Sequence, residues 1–192
     1  MKPYYDHAGI QIFHGDCREI LPQLDFDVVI TDPVYPRLTY GWEYVPIESF
    51  GLECRQFYFW MQPPESFPLP FTAMHIWSKA NVYIGDHELW EPIYEVNGKR
   101  IGSVLRESSI NSAMAAQMNS DKFYEHPCQK PLKLMTKLIR RTEGRIADPF
   151  SGSGSTLLAA KGLDRSAIGI EIEEKYCEIA AKRLSQEVFD FS

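Results

Sequence analysis

The chain has 192 residues, 44% hydrophobic and 24% charged, with a formal net charge of −6, a balance that argues against disorder and against a coiled coil. A chain this long buries roughly 70% of its unfolded surface and needs no staples, and no apolar run approaches the roughly 20 residues of a membrane span. Met1–His7 lacks the apolar core of a signal peptide, and the scattered Cys17, Cys54, Cys128 and Cys177 fit neither a zinc site nor a compact disulfide framework, so reduced thiols in a cytoplasm are expected.

In chain order, Ile10–Phe13 alternates and is rich in strand formers. Arg18–Leu24 has helical apolar spacing, and Phe26–Ile30 is a short β-branched run suited to a buried parallel strand that stops at Thr31-Asp32-Pro33. Pro36, Pro63, Pro64, Pro68 and Pro70 break residues 36–72, where Phe57–Trp60 reads equally as a buried strand or a helix end. Residues 73–78 read as a strand, and Asn97-Gly98 is a turn signal between strands. From Pro131 to Arg141, Pro131, Leu134, Met135, Leu138 and Ile139 share one helical face, with Lys133, Lys137, Arg140 and Arg141 opposite. Pro131 suits a first helical position. A strand at Arg145–Ala147, a Gly/Ser-rich turn, a helix over Thr156–Lys161, a strand at Ser166–Ile170 and a closing helix complete the chain. Strands alternating with helices predict an α/β fold, a doubly wound, mostly parallel sheet in a single domain.

Three motifs carry chemistry. Asp148-Pro149-Phe150-Ser151-Gly152-Ser153-Gly154-Ser155-Thr156 joins a strand to a helix, where glycines admit a ligand to the backbone and the helix start offers N–H groups to an anion. Glu171 ends the next strand, the place where an acid holds ribose hydroxyls in doubly wound folds. Together these favour a ligand containing a nucleoside over an ordinary turn. Thr31-Asp32-Pro33-Val34-Tyr35-Pro36 ends another strand, and its carboxylate, carbonyl and ring could hold a planar amine. Alone, a proline turn with a packing tyrosine is the commoner meaning. His126–Pro131 leads into the basic-faced helix. The charge is uneven, with 4 basic and 9 acidic residues in 1–60, 4 and 6 in 61–120, and 12 and 11 in 121–192. A nucleic-acid contact would therefore have to be local.

In their order and spacing these motifs resemble the S-adenosylmethionine-dependent DNA amino-methyltransferases, in the subgroup whose catalytic motif precedes the cofactor motif. Asp32-Pro33-Val34-Tyr35 matches Asp-Pro-Pro-Tyr, with Val34 for the second proline. His126–Pro131 is similar to His-Pro-Thr-x-Lys-Pro, with Cys128 for the threonine. Asp148–Thr156 resembles Asp-Pro-Phe-x-Gly-Ser-Gly-Thr-Thr. Gly169–Glu173, Tyr176–Ala180, His14-Gly15-Asp16 and the Trp77-Ser78-Lys79 strand match further segments. The resemblance implies a Rossmann-like fold. It implies Asp32, Pro33 and Tyr35 as catalytic residues, Asp32 and the Pro33 carbonyl accepting from the substrate amino group while Tyr35 stacks on a flipped base. It implies a cofactor pocket of Asp16, Lys130, Asp148, Phe150, Gly152, Gly154, Ser155, Thr156 and Glu171, in which Gly152 and Gly154 approach the methionine half.

No metal is needed, because the sulfonium methyl is already electrophilic. Candidate phosphate contacts are Lys79, Lys133, Lys137, Arg140 and Arg141, and residues 81–125 are expected to form a short target-recognition insertion. His75 and His87 show no companion ligands, and the tryptophans read as packing. The expected activity is methylation of the exocyclic amino group of adenine in double-stranded DNA by a monomer or homodimer in a bacterial or phage-infected cytoplasm, with no membrane partner. Asp at the head of the motif leans to adenine. Cytosine amino-methylation and a degenerate, non-catalytic cofactor- or DNA-binding protein are the alternatives.

Overall fold

The computed structural model describes residues 1–34, 43–62, 64–84, 87–108 and 129–186. Nine strands form one sheet: β1 (Tyr5–His7), β2 (Ile10–His14), β3 (Val28–Thr31), β4 (Arg55–Phe59), β5 (Ala73–Ile84), β6 (His87–Val96), β7 (Val104–Glu107), β8 (Ile146–Asp148) and β9 (Ala167–Glu171). Their order across the sheet is β1-β2-β9-β8-β3-β4-β6-β5-β7. From β2 to β4 all neighbours are parallel. β6 inserts antiparallel between β4 and β5. The expected doubly wound, mostly parallel α/β sheet is what is found. The chain turns back between β3 and β8, and a sheet of this kind binds ligands at that switch point.

The strands alternate cleanly. Val28 and Ile30 face one side and Val29 the other, and Phe57 and Phe59 oppose Tyr58 and Trp60. The first face is covered by α2 (Leu132–Ile139), α3 (Ser155–Lys161) and α4 (Glu174–Ser185). In α2 the predicted apolar stripe is buried, with Leu134, Leu138 and Ile139 fully enclosed. Each such side chain stabilises the packed state by about 1.5–3 kcal/mol. The second face is covered by the short α1 (Cys17–Ile20) and by Val45, Ile47 and Phe67.

Some expectations shift. The helix read over Arg18–Leu24 is α-helical only to Ile20. Leu21–Gln23 tighten into a 3-10 turn because Pro22 has no N–H to continue the ladder. Pro131 caps α2 in an extended conformation rather than occupying its first turn. Phe57–Trp60 belongs to β4 and the residue after it. Asn97, at φ 55°, turns the chain out of β6, but β7 then pairs with β5, so this is no simple hairpin. Trp60 and Trp77 are packed, whereas Trp90 is 56% exposed and Trp42 lies outside the described residues. Residues 87–96 and 104–107 of the expected recognition insertion are strands of the common sheet, and residues 109–125 lie outside the described residues.

Candidate active site

β3 and β8 end side by side, β8 on Asp148 and β3 on Thr31 with Asp32 directly after it. Asp148 is buried and takes three donors. Thr31 Oγ1 donates to Oδ1 at 2.6 Å, the Phe150 N–H to the same oxygen at 3.2 Å, and Thr156 Oγ1 to Oδ2 at 2.5 Å. Burial holds its carboxyl above the usual range. Asp148 thus ties the end of β3 to the loop opening α3 and fixes the two motifs relative to each other. Arg183 of α4 braces the same loop from behind, donating through Nη1 to the Ser153 carbonyl.

The loop wraps one wall of a cavity of about 440 Å3. Gly152 donates to Glu171 Oε2 at 2.8 Å, and Glu173 N–H donates to Oε1 at 2.9 Å, so Glu171 is held rigidly at the rim. Each of its oxygens keeps a second lone pair for a ligand. Ser151 and Ser155 also line the cavity, and their buried hydroxyls have no hydrogen-bond partner among the described residues. Buried hydroxyls without partners are costly, so this wall is suited to a polar ligand. Asp16 caps α1 by accepting from Arg18 N–H at 2.8 Å. The Arg18 guanidinium holds its carboxyl below the usual range.

Of the expected cofactor residues, Asp16, Lys130, Asp148, Phe150, Gly152, Ser155, Thr156 and Glu171 all line the cavity. Gly154 does not. It stands at φ 80°, and a Cβ there would meet the Ala180 Cβ at 2.8 Å, so it serves the turn and the packing of α3 on α4.

The opposite wall holds Asp32, Pro33 and Val34, with Phe59, Met61 and Trp77 as apolar neighbours. Tyr35 lies outside the described residues. Lys130 Nζ pairs with Asp32 Oδ2. Oδ1 of Asp32 has no partner among the described residues. Burial raises the Asp32 pKa to about 6, with Glu91 and Asp148 adding to the rise and Lys130 opposing it. Lys130, expected to serve the cofactor, lines the cavity and donates to Asp32 on the other wall.

Two charged residues were not anticipated there. Glu91 of β6 is 3% exposed and stands 3.4 Å from Lys130. Lys79 of β5 stands 3.0 Å from Glu91, with a side chain 8% exposed. Lys79 is therefore part of the cavity and not a surface phosphate contact. Of the other candidate phosphate contacts, Lys137 pairs with Glu107, and Arg141 donates to Ser103 Oγ at 2.5 Å at the end of the sheet away from the cavity. Lys133 on α2 and Arg140 at its C-cap stay exposed. No local pattern marks Glu91 in the sequence, because an acid flanked by apolar residues in a strand ordinarily reads as solvated.

Comparison with known proteins agrees with this geometry. A family model described as DNA methylase matches residues 55–182. The Type II methyltransferase M.ScaI of Streptomyces caespitosus is 25% identical over 263 residues, covering 97% of this chain and 84% of its own. That alignment is longer than this chain, so the relative carries additional segments. M2.MboI of Moraxella bovis, another Type II methyltransferase, is 33% identical over 129 residues, which are 63% of this chain and 45% of the relative. Among solved structures, the M1.HpyAVI–SAM complex superposes with a TM-score of 0.60 at 26% identity, over 92% of this chain and all of that one. The PvuII cytosine-N4-specific methyltransferase, at 17% identity and a TM-score of 0.69, shows the shared fold.

Proposed function

The chain belongs to the DNA methylase family, and from that premise we propose that it transfers a methyl group from S-adenosylmethionine to the exocyclic amino group of adenine in double-stranded DNA, with the base turned out of the duplex into the cavity. The observation that carries this reading is Asp32, a partly buried carboxylate lining the cavity, with one oxygen tied to Lys130 and the other without a partner among the described residues.

Bound in the loop wall, S-adenosylmethionine supplies an electrophilic methyl group. Ser151 and Ser155 fit its polar methionine end, Glu171 its ribose hydroxyls and Asp16 its adenine. On the other wall, Asp32 Oδ1 and the Pro33 carbonyl accept hydrogen bonds from the two amino N–H groups, and the one proton released as the N–C bond forms and the sulfonium C–S bond breaks leaves by way of Asp32. An exocyclic amine is a poor nucleophile because its lone pair is shared with the ring, and two acceptors placed at its hydrogens draw it toward tetrahedral geometry. Lys130 keeps Asp32 ionised near neutral pH despite its burial. Phe59, Met61 and Trp77 exclude water, and the Thr31–Asp148 bond holds the two walls in register, so that positioning supplies much of the rate. Tyr35 is proposed to stack on the base, whose unstacking costs a few kcal/mol. Recognition of the target sequence is assigned to residues within 81–125, and Lys133 and Arg140 are proposed as phosphate contacts. The named relatives are bacterial, and we place the reaction in a bacterial cytoplasm.

The test is methyl transfer from labelled S-adenosylmethionine to unmethylated duplex DNA, with the product nucleosides resolved. Labelled methyladenine that disappears in Asp32→Ala supports the proposal. Methylcytosine keeps the reaction and changes the base. Cofactor binding without transfer to any DNA overturns it in favour of a binding protein.

A further inference from the structure

Lys130 meets Asp32 from one side, and a carboxylate on the neighbouring strand pulls it from the other. Glu91 reaches Lys130 Nζ through Oε1 at 3.4 Å and Lys79 Nζ through Oε2 at 3.0 Å. Each ammonium also lies 4.8 Å from a ring centre, Lys79 over Trp77 and Lys130 over Phe59. The result is a row of alternating charge, Asp32–Lys130–Glu91–Lys79, running from the reacting carboxylate into the back of the cavity. Desolvating such ions costs several kcal/mol each, and that cost is recovered only when the geometry is well held.

We propose that Glu91, backed by Lys79, is a positioning residue for methyl transfer: it restrains Lys130 to one oxygen of Asp32 and leaves the other turned to the substrate amino group. The inference rests on the reading of Asp32 as the amino-group acceptor. Freed from Glu91, Lys130 would settle over both oxygens and blunt the acceptor. Freed from Lys79, Glu91 would draw Lys130 away and leave Asp32 less neutralised. The groups facing Asp32 are Lys130 from the segment before α2, Glu91 from β6 and Asp148 from β8. Glu91→Gln removes an anion and therefore makes Asp32 more acidic. Lys79→Met removes the cation that occupies Glu91 and therefore makes Asp32 less acidic.

The experiment compares the full-length wild type with Glu91→Gln, Lys79→Met and the double variant, which restores charge balance. Turnover against pH is measured on duplex DNA, together with cofactor affinity and melting temperature. Glu91→Gln is expected to lower kcat about ten-fold or more while leaving cofactor affinity within a few-fold, and to move the acid limb down by roughly one pH unit. Lys79→Met is expected to move it up, and the double variant to return it toward wild type. A merely structural role would lower stability in both singles without opposite displacements. The carbon-13 carboxyl titration of Asp32, assigned with Asp32→Asn, reads the same displacements without turnover. A wild type inactive on DNA would thus defeat the function proposed above while these titrations still decide the placement of Lys130. Displacements of the same sign, or none, overturn the inference.

Discussion

One face of the sheet carries two clusters of buried charge, at opposite ends of β4, β5 and β6, built from the same parts. Each centres on a glutamate of β6. Glu91 and Glu95 are four residues apart, about 13 Å along a strand, and Ile93 between them packs with Phe57, Phe59 and Trp77. At the far end Glu95 is 1% exposed. Its Oε1 accepts from Arg55 Nε at 2.6 Å and from Lys99 N–H at 3.1 Å, and its Oε2 accepts from His75 Nε2 at 2.9 Å. The Asn97-Gly98 turn closes over it so tightly that a Cβ on Gly98 would come 1.7 Å from Glu95 Oε1. Ser103 meets the other side of His75, and the Arg55 and Arg141 side chains knit β4, β7 and the end of α2 together. At the near end Glu91 has two lysines, and beyond them lie a cavity and Asp32. A buried carboxylate is thus a clamp where both of its oxygens accept from neighbouring donors and the chain closes over it. At the near end one oxygen of the row, Asp32 Oδ1, has no partner among the described residues, and the proposed function gives it the substrate.

Substitutions separate the two. The largest effect is expected from Asp32→Asn, which should lower turnover by about 10²–10⁴-fold, the range of a positioned proton acceptor, with cofactor affinity retained. Next comes Glu95→Gln, which leaves Arg55 and His75 facing an amide. Breaking a buried ion pair on one side costs about 3–5 kcal/mol, so urea unfolding should shift by that amount while kcat of the folded enzyme stays near wild type. A large loss of kcat in Glu95→Gln at full folding would erase the distinction between clamp and site. Thr31→Val, which removes one of three donors to the buried Asp148, should cost about 1–3 kcal/mol and weaken cofactor binding. It is the substitution expected to act on both walls together.

Much of the near end is legible in sequence. Asp148–Thr156 has local signals: a strand ending in Asp-Pro, glycines at φ 50° and 80°, and a helix that starts at once. The apolar stripe of α2 likewise fixes which face is buried. What is not legible is what charges do across long separations. Asp32 and Lys130 are 98 positions apart and meet only because β3 and the start of α2 converge on one edge. Trp90 and Glu91 show the physical reason. In an alternating strand, an aromatic next to an acid reads as packed and solvated respectively. Here Trp90 is 56% exposed and Glu91 is 3% exposed. A lysine from each side reverses the usual preference, and no pattern along the strand records those lysines. Gly154 gives the complementary lesson: a residue of the glycine-rich turn packs against a neighbouring helix and does not line the cavity.

The smallest effect is a dependence on pH, and it tests whether the near end retains the cost of an unfinished charge row. Asp32 has its carboxyl raised to about 6 by burial, against 3.8 for the free side chain. Between those values the folded chain binds a proton at Asp32 that the unfolded chain has released, so this group favours folding more as pH falls from about 6 toward 4. Above pH 6 both states are ionised, and the folded state carries the full cost of the buried charge. Asp32→Asn removes that cost. Its melting temperature relative to wild type should therefore be most favourable at pH 7–8 and should decline as pH falls toward 5. Glu171, whose carboxyl burial also raises, titrates in both proteins and cancels in the difference, whereas Asp148, which raises Asp32, is itself relieved of a neighbouring anion in Asp32→Asn. A difference that stayed flat with pH would mean that Lys130 fully compensates Asp32. The near end would then be as closed a clamp as the far one, without the free acceptor that amino-group methylation requires.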